Sequence, residues 1–142
     1  MAFIRSLACF VAIPQSPEFQ AVRQAVFEAL DQFSVERLDL SYLSTNPSTP
    51  VTSDIVERAD FVIADVTSSS SDVFYQLGIA DALRKPTLMM AQREVTLQGD
   101  LNRHQLLLYR PGEEFKLTEY LRSWMADIIE RQQQRNAPAR AL

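Results

Sequence analysis

Short apolar runs alternate with helical patterns along this chain, and that alternation limits the folds open to it. The run FVIADV at 61–66 is the clearest, since nearly every residue in it is apolar. A short continuous apolar run is typical of a strand buried on both faces of a sheet. Apolar runs at 3–13, 87–91 and 106–109 predict three further strands, and the alternation of SVERLDL at 34–40 predicts another.

Helical patterns lie between these strands. Ser16-Pro17-Glu18 predicts a helix start, because it combines a capping residue, a proline at the first position and an acid in the first turn. Further helices are predicted at 51–59, 72–84 and 113–133. The last of them has an apolar stripe made of Phe115, Leu117, Leu121, Trp124, Ile128 and Ile129.

The order of elements predicts an α/β fold. Strands that alternate with helices form a parallel sheet with helices on both faces. The expected arrangement is the flavodoxin-like open five-stranded sheet of order 2-1-3-4-5, whose ligand crevice lies where strands 1 and 3 diverge. Residues 1–135 are expected to form a single domain, with loops at 41–50 and 92–103 and a frayed tail at 136–142.

Composition excludes several kinds of chemistry. The chain has one His, one Cys and three Gly. A Cys/His zinc site needs about four such ligands, and an intrachain disulfide needs a second Cys. Because the glycines are far apart, no glycine-rich phosphate loop is formed. We therefore expect no metal and no cofactor, and the chemistry is left to carboxylates, hydroxyls, amides and backbone N–H groups.

Charge and hydropathy bear on partners and location. A net charge of −4 argues against a nucleic-acid partner, which usually needs a basic face. No apolar run approaches the ~20 residues of a membrane span. The apolar N-terminus is interpreted as the first buried strand, with Cys9 inside it, and not as a signal peptide. A cytoplasmic protein without a membrane partner is expected.

The predicted crevice is lined by the residues directly after strands 1 and 3. Pro14, Gln15 and Ser16 come after the first strand, and the second set is Asp65, Thr67 and the serines 68–71. Ser71 is the expected N-cap of the third helix, whose first-turn N–H groups attract anions. Ser69 and Ser70 add hydroxyl donors for a phosphate or a ribose, unless these serines only cap the helix and keep the loop soluble.

Three polar residues near the crevice have alternative roles. Asp65 ends an apolar strand, where it either accepts hydrogen bonds from sugar hydroxyls or caps neighbouring backbone. Asp72 and Gln76 are four residues apart and share one side of the third helix, and Asp72 would compete with a bound phosphate. A glutamine on a helix is usually solvent-facing.

The segment ADFVIADVTSSSSDVFYQLGIADALRKP at 59–86 resembles the signature of nucleoside 2-deoxyribosyltransferase-like proteins and their TIR-like relatives. Two flanking segments, 8–19 and 99–109, are similar to that family as well. The resemblance implies an open parallel α/β sheet that binds nucleosides, nucleotides or related dinucleotides such as NAD at the carboxyl ends of its strands. It also implies a homo-oligomer. The implied ligand contacts are Pro14, Gln15, Ser16, Thr67, Ser69, Ser70, Ser71 and Tyr75.

In active members of that family, the glutamate of a YELG motif attacks the anomeric carbon of the sugar and displaces the base. Here the matching residues are Tyr75-Gln76-Leu77-Gly78, so the nucleophile position holds a neutral amide. Asp72 stands where the family has Asn, one turn earlier on the helix. Gly78 is expected to permit a close approach of the helix to the sheet or to a ligand.

Three functions remain open. The first is a nucleotide-binding domain that is weakened or inactive as an enzyme because of Gln76. The second is an active N-glycosidase or deoxyribosyltransferase that uses another carboxylate, Asp72 or Asp65. The third is an oligomeric interaction module without a ligand.

Overall fold

The structure, a computed structural model, describes residues 6–39, 52–97 and 104–136. The predicted loop at 41–50, the tail beyond residue 136 and parts of the first strand and of the loop at 92–103 lie outside these residues. The strands are β1 (Ala8–Ala12), β2 (Glu36–Leu38), β3 (Phe61–Asp65), β4 (Thr87–Gln92) and β5 (Gln105–Tyr109). The helices are α1 (Gln20–Gln32), α2 (Thr52–Arg58), α3 (Ser71–Ala82) and α4 (Leu117–Asn136).

The strands form one parallel sheet of order β2-β1-β3-β4-β5, which confirms the predicted flavodoxin-like topology. Strands β1, β3 and β4 are buried almost throughout, because helices cover both of their faces. No helix in the described part of the chain is both long and apolar enough to cross a membrane.

Two apolar cores lie on opposite faces of the sheet. One joins α1 and α4 to side chains such as Val11, Ile63 and Met90, and Cys9 is buried within it. The other joins α2 and α3 to the alternate residues of the same strands, including Phe10 and Met89. This division results from the strand period, since successive side chains point to opposite faces.

The two edges of the sheet differ in character. β2 is three residues long and exposes Glu36 and Arg37, and the Arg37 guanidinium lies 4.4 Å from the centre of the Phe27 ring. β5 exposes Leu106 and Leu108 at 36% and 44%. Charged residues on a short strand protect a sheet edge from pairing with other chains, whereas an apolar edge lacks that protection.

At two places a 3-10 turn precedes the helix where the sequence predicted the helix to begin. Before α1, Pro17 begins a 3-10 turn that ends at Phe19, with Ser16 as its N-cap. Before α4, a 3-10 turn spans Glu114–Lys116, so Phe115 does not continue the stripe of the helix. The Phe115 side chain is 72% exposed, and its predicted place in the core is wrong.

Candidate functional site

A small crevice lies at the carboxyl ends of β1 and β3, where the topology predicts it. Its volume is about 180 Å³. The lining residues come from the end of β1, the segment after it and the start of α3: Val11, Ile13, Pro14, Gln15, Ser70, Asp72, Val73 and Gln76. The structure thus brings together five of the polar or loop residues predicted to lie at one site, namely Pro14, Gln15, Ser70, Asp72 and Gln76.

Gln76 is the most unusual residue of the crevice. It is only 4% exposed, although a helical glutamine is expected to face solvent. Its side chain has no hydrogen-bond partner within the described residues, where every fully enclosed side-chain N or O atom has one. The Gln76 amide must therefore reach the open space of the crevice. An amide in this position can donate hydrogen bonds to, and accept them from, a ligand with hydroxyl or carbonyl groups.

The N-terminus of α3 opens onto the same space. The helix begins at Ser71 and its N-cap is Ser70, one residue earlier than the predicted cap Ser71. The Ser70 hydroxyl makes no capping hydrogen bond, while its carbonyl accepts the Phe74 N–H at 3.1 Å. First-turn N–H groups without a side-chain cap leave their positive dipole end available to an anion or a hydroxyl oxygen.

Asp72 lies one turn before Gln76 and lines the crevice with it. Its side chain is exposed, which keeps the carboxylate hydrated. A carboxylate and an amide at positions i and i+4 on one helix face can together hold neighbouring hydroxyls of a sugar.

Arg23 of α1 holds the backbone of the segment after β1. The Arg23 guanidinium donates hydrogen bonds to the carbonyls of Pro14 and Ser16, at 2.5 and 3.4 Å. The Ser16 hydroxyl is 3.2 Å from a Glu18 carboxylate oxygen, and Ser16 is not among the lining residues. Sequence reasoning missed Arg23, because nothing in a helical arginine indicates which backbone carbonyls it will reach.

Asp65 lies outside the crevice lining and is wholly buried. It accepts a hydrogen bond from the Tyr109 hydroxyl at 2.6 Å and another from the Thr67 N–H at 2.9 Å. The Thr67 hydroxyl in turn accepts the Gln92 N–H at 3.0 Å. Of the two roles open to Asp65, the structure shows backbone capping, and these bonds join the carboxyl ends of β3, β4 and β5.

Burial determines the ionisation of this cluster. It raises the pKa of Asp65 above its ordinary value of 3.8, and the hydrogen bonds from Thr67 and Tyr109 offset part of that rise. The pKa of the Tyr109 hydroxyl is also raised, first by burial and then by the Asp65 charge beside it. The hydroxyl therefore stays protonated and donates to the carboxylate.

Other predicted site residues lie beside the crevice or away from it. Thr67 and Ser69 belong to the β3–α3 connection and Ser71 is the first residue of α3, but none of the three lines the cavity. Ser69 has a φ of 52°, in the left-handed region, as the chain turns toward α3. Tyr75 is 65% exposed on the solvent side of α3.

The expected close approach of the helix to the sheet at Gly78 is wrong, and an approach of a ligand there stays a prediction. A Cβ atom added at this glycine would meet no atom within 4 Å among the described residues. Gly78 is exposed because it lies on the helix face opposite Val73, Leu77 and Ala80, which pack on the sheet.

Larger cavities lie elsewhere, and two of them are at the β5 edge. One of about 570 Å³ and one of about 450 Å³ lie between β5 and α4. Their shared lining is leucine and tyrosine, with Leu106, Leu107 and Tyr120 common to both. Among residues 6–39, 52–97 and 104–136, no group of three His, Cys, Asp or Glu side chains is placed to hold a metal ion.

Comparison with known proteins gives a likeness of fold. No protein-family model and no curated protein matches the chain. Among solved structures, the CMP N-glycosidase BcmB of Clostridium botulinum superposes with a TM-score of 0.56 at 17% identity, over 83% of this chain and 98% of that one. A response regulator receiver domain of Bacillus halodurans gives a TM-score of 0.48 at 10% identity, over 82% and 97%. Neither structure tests the likeness to TIR-like proteins, which stays a prediction.

Proposed function

We propose that this chain is a nucleoside- or nucleotide-binding domain of the deoxyribosyltransferase-like kind that has lost the nucleophile of glycosyl transfer. The observation that carries the proposal is the Gln76 side chain, which is 4% exposed and lies in the crevice without a partner among the described residues. It occupies the position at which the resemblance implies a catalytic glutamate. The fold likeness to a CMP N-glycosidase supports the same ligand class.

The size of the crevice indicates which part of the ligand it holds. At about 180 Å³ it is smaller than the ~300 Å³ or more of a typical ligand site. That space suits a sugar ring, with the base and any phosphate extending toward its rim. The Gln76 amide both donates and accepts hydrogen bonds, and the Asp72 carboxylate accepts them, so both can bind ribose hydroxyls.

A neutral amide explains why binding is proposed without turnover. The formation of a glycosyl-enzyme ester requires a carboxylate, whose negative charge also stabilises a transition state that resembles an oxocarbenium ion. The amide oxygen of Gln76 carries no such charge at neutral pH. The ligand would therefore be held and released unchanged.

A second candidate is an active N-glycosidase or deoxyribosyltransferase that uses Asp72. Its support is that Asp72 is the carboxylate that lines the crevice, whereas Asp65 is enclosed and hydrogen-bonded to Tyr109. Loss of base release in Asp72→Asn would favour this candidate. A third candidate, an interaction module without a ligand, is favoured less, because the crevice is open and partly polar.

Thermal unfolding with a ligand panel tests the proposal. The panel contains nucleosides, nucleoside monophosphates, cyclic nucleotides and NAD. A ligand at ten times its Kd stabilises the folded state by about 1.4 kcal/mol, which raises the Tm by roughly 3–6 °C in a domain of this size. We expect Gln76→Leu to abolish that rise, since leucine keeps the volume but not the hydrogen bonds.

The matched control is Gln133→Leu, which replaces an exposed glutamine of α4. It should leave the ligand-induced rise in Tm unchanged. Absence of any rise with the whole panel at millimolar concentration would contradict the proposed function. An equal rise in wild type and Gln76→Leu would place the ligand elsewhere.

A further inference from the structure

The exposed edge strand β5 is the least protected part of the sheet. Tyr109 accepts the Arg93 N–H through its carbonyl at 2.8 Å, so its peptide groups face β4. The N–H and C=O groups of Leu107 and Gln105 face β4 as well, because the peptide groups of successive residues point to opposite sides of a strand. The N–H and C=O groups of Leu106 and Leu108 therefore point to the free edge.

The side chains of Leu106 and Leu108 lie on the face of the sheet that α2 and α3 cover over the neighbouring strands. Leu107 and Tyr109 pack against the opposite core, under α4. In the described segment between β4 and β5, residues 93–97 and 104, there is no helix to cover Leu106 and Leu108. Both leucines accordingly remain more than one-third exposed.

We propose that a second copy of this chain pairs with this edge, β5 against β5 in antiparallel orientation about a two-fold axis at Leu107. In that register Leu106 of each copy lies opposite Leu108 of the other, and these are the residues whose N–H and C=O groups face outward. Such a pair exchanges both N–H···O bonds. The inference is independent of the proposed ligand.

The sequence of the edge is self-complementary in this register. Leu107 meets Leu107 of the second copy, and on the other face Leu106 meets Leu108, so every central pair is leucine with leucine. Cross-strand apolar pairs of this kind stabilise a sheet. A two-fold interface requires one surface to fit itself, and this strand meets that requirement.

Charge along the edge also fits a second copy in antiparallel orientation. The cavity at the carboxyl end of β5 is lined by Arg93, Arg110 and Lys116, with Glu113 beside Lys116 at 3.4 Å. The cavity toward the other end is lined by Asp127, whose carboxylate pairs with Arg131 at 3.0 Å and remains 57% exposed. The two-fold axis brings the basic end of each copy toward the Asp127 end of the other.

The available area suits a dimer only if α4 takes part. β5 alone is about 17 Å long, whereas a stable interface buries roughly 800 Å² per partner. The 62% exposed ring of Tyr120 lines both cavities between β5 and α4 and adds apolar surface beside the strand, while the rest of these cavities is mainly polar. The interface we infer therefore combines the β5 edge with the adjoining face of α4.

Sedimentation velocity across a dilution series, from millimolar to micromolar protein, tests this interface. We expect wild type to sediment at twice the 16.1 kDa mass of the chain and to dissociate on dilution. Leu106→Lys and Leu108→Lys should each raise the dimer dissociation constant by roughly 100-fold, because the lysines of both copies enter an apolar contact. Leu83→Lys is the matched control, since Leu83 is 38% exposed at the end of α3.

Hydrogen exchange on the wild type provides a test without a variant. The amides of Leu106 and Leu108 should be protected in concentrated samples and should exchange quickly on dilution, while those of Leu107 and Tyr109 stay protected by β4. A monomer at every concentration, a dimer that both lysine variants retain, or rapid exchange of the Leu106 and Leu108 amides in concentrated samples would overturn the proposal.

Discussion

Base release from a nucleotide is expected to appear when Gln76 is changed to glutamate and Asp72 to asparagine. The double variant Asp72→Asn/Gln76→Glu should exceed the wild-type background by at least about 100-fold, or about 2.7 kcal/mol of transition-state stabilisation. The introduced glutamate carboxylate would form an ester with the anomeric carbon as the N-glycosidic bond breaks. The bonding electrons leave with the base, which takes up a proton, and water then hydrolyses the ester.

Both substitutions are needed because of the spacing of the two residues. Residues 72 and 76 line one crevice a single helical turn apart, so two carboxylates there would disfavour each other's ionisation. Position 76 is also buried, which raises the pKa of a carboxylic acid by desolvation. We therefore expect Gln76→Glu alone to be less active than the double variant, and its rate to rise with pH as the introduced carboxylic acid ionises.

Chromatography of the free base from CMP and from other nucleoside monophosphates measures this result. Asp72→Asn alone is the control, and it should show no release. If wild type already releases base and Asp72→Asn does not, the reaction requires the Asp72 carboxylate and the second candidate function is supported. If the double variant binds a nucleotide in the thermal test but releases no base, the crevice is not a disabled glycosidase site.

The second large effect is expected at Asp65. Asp65→Ala should lower the free energy of unfolding by about 3 kcal/mol, because the Tyr109 hydroxyl and the Thr67 N–H each lose their acceptor at a cost of about 1–3 kcal/mol. This is a large part of the roughly 5–15 kcal/mol that holds a typical domain folded. Tyr109→Phe removes one hydrogen bond to a charged group and should cost about 2 kcal/mol.

Urea unfolding measures these changes, and the double variant Asp65→Ala/Tyr109→Phe checks the pairing. Because the two residues share a hydrogen bond, the double variant should be destabilised by less than the sum of the single changes. Asp81→Ala is the control, since the Asp81 carboxylate is 49% exposed and pairs with His104 at 2.9 Å. It should cost less than about 1 kcal/mol. Additive losses would contradict the shared bond.

The stability that Asp65 contributes should fall as the pH rises. The pKa of Asp65 in the folded protein is raised above the ordinary 3.8, so the folded state holds this proton more tightly than the unfolded state. The contribution of this group to stability is fully present below the ordinary pKa of 3.8 and is lost as the pH rises through the folded pKa. Because the side chain in Asp65→Asn cannot ionise, the stability of wild type relative to this variant should fall as the pH rises above 3.8 and should level off above the folded pKa.

The strand pattern predicted the sheet because each buried strand is a short apolar run with charges or turn residues at its ends. Helix starts were harder to predict. The serines 68–71 all suit an N-cap, and the cap proved to be Ser70 and not Ser71. Phe115 continues the helical spacing of α4, yet a 3-10 turn rotates it away from the core.

The position of the crevice could be predicted from topology, but the roles of the predicted site residues depended on contacts that the sequence does not encode locally. Asp65 and Tyr109 are 44 residues apart, so their bond cannot be inferred from either neighbourhood. The burial of Gln76 was likewise unexpected, since helical spacing places it beside the exposed Asp72. Sequence similarity singled out its position, and the fold supplied its surroundings.

The charged β2 edge has a consequence for the size of the assembly. Pairing through β5 uses the apolar edge of each copy, and the edges left at both ends of the joined sheet are then the β2 strands with Glu36 and Arg37. Neither end can add a further copy by the same contact, since a two-fold interface is closed. The assembly would therefore stop at two chains, and pairing through β5 would not produce fibres.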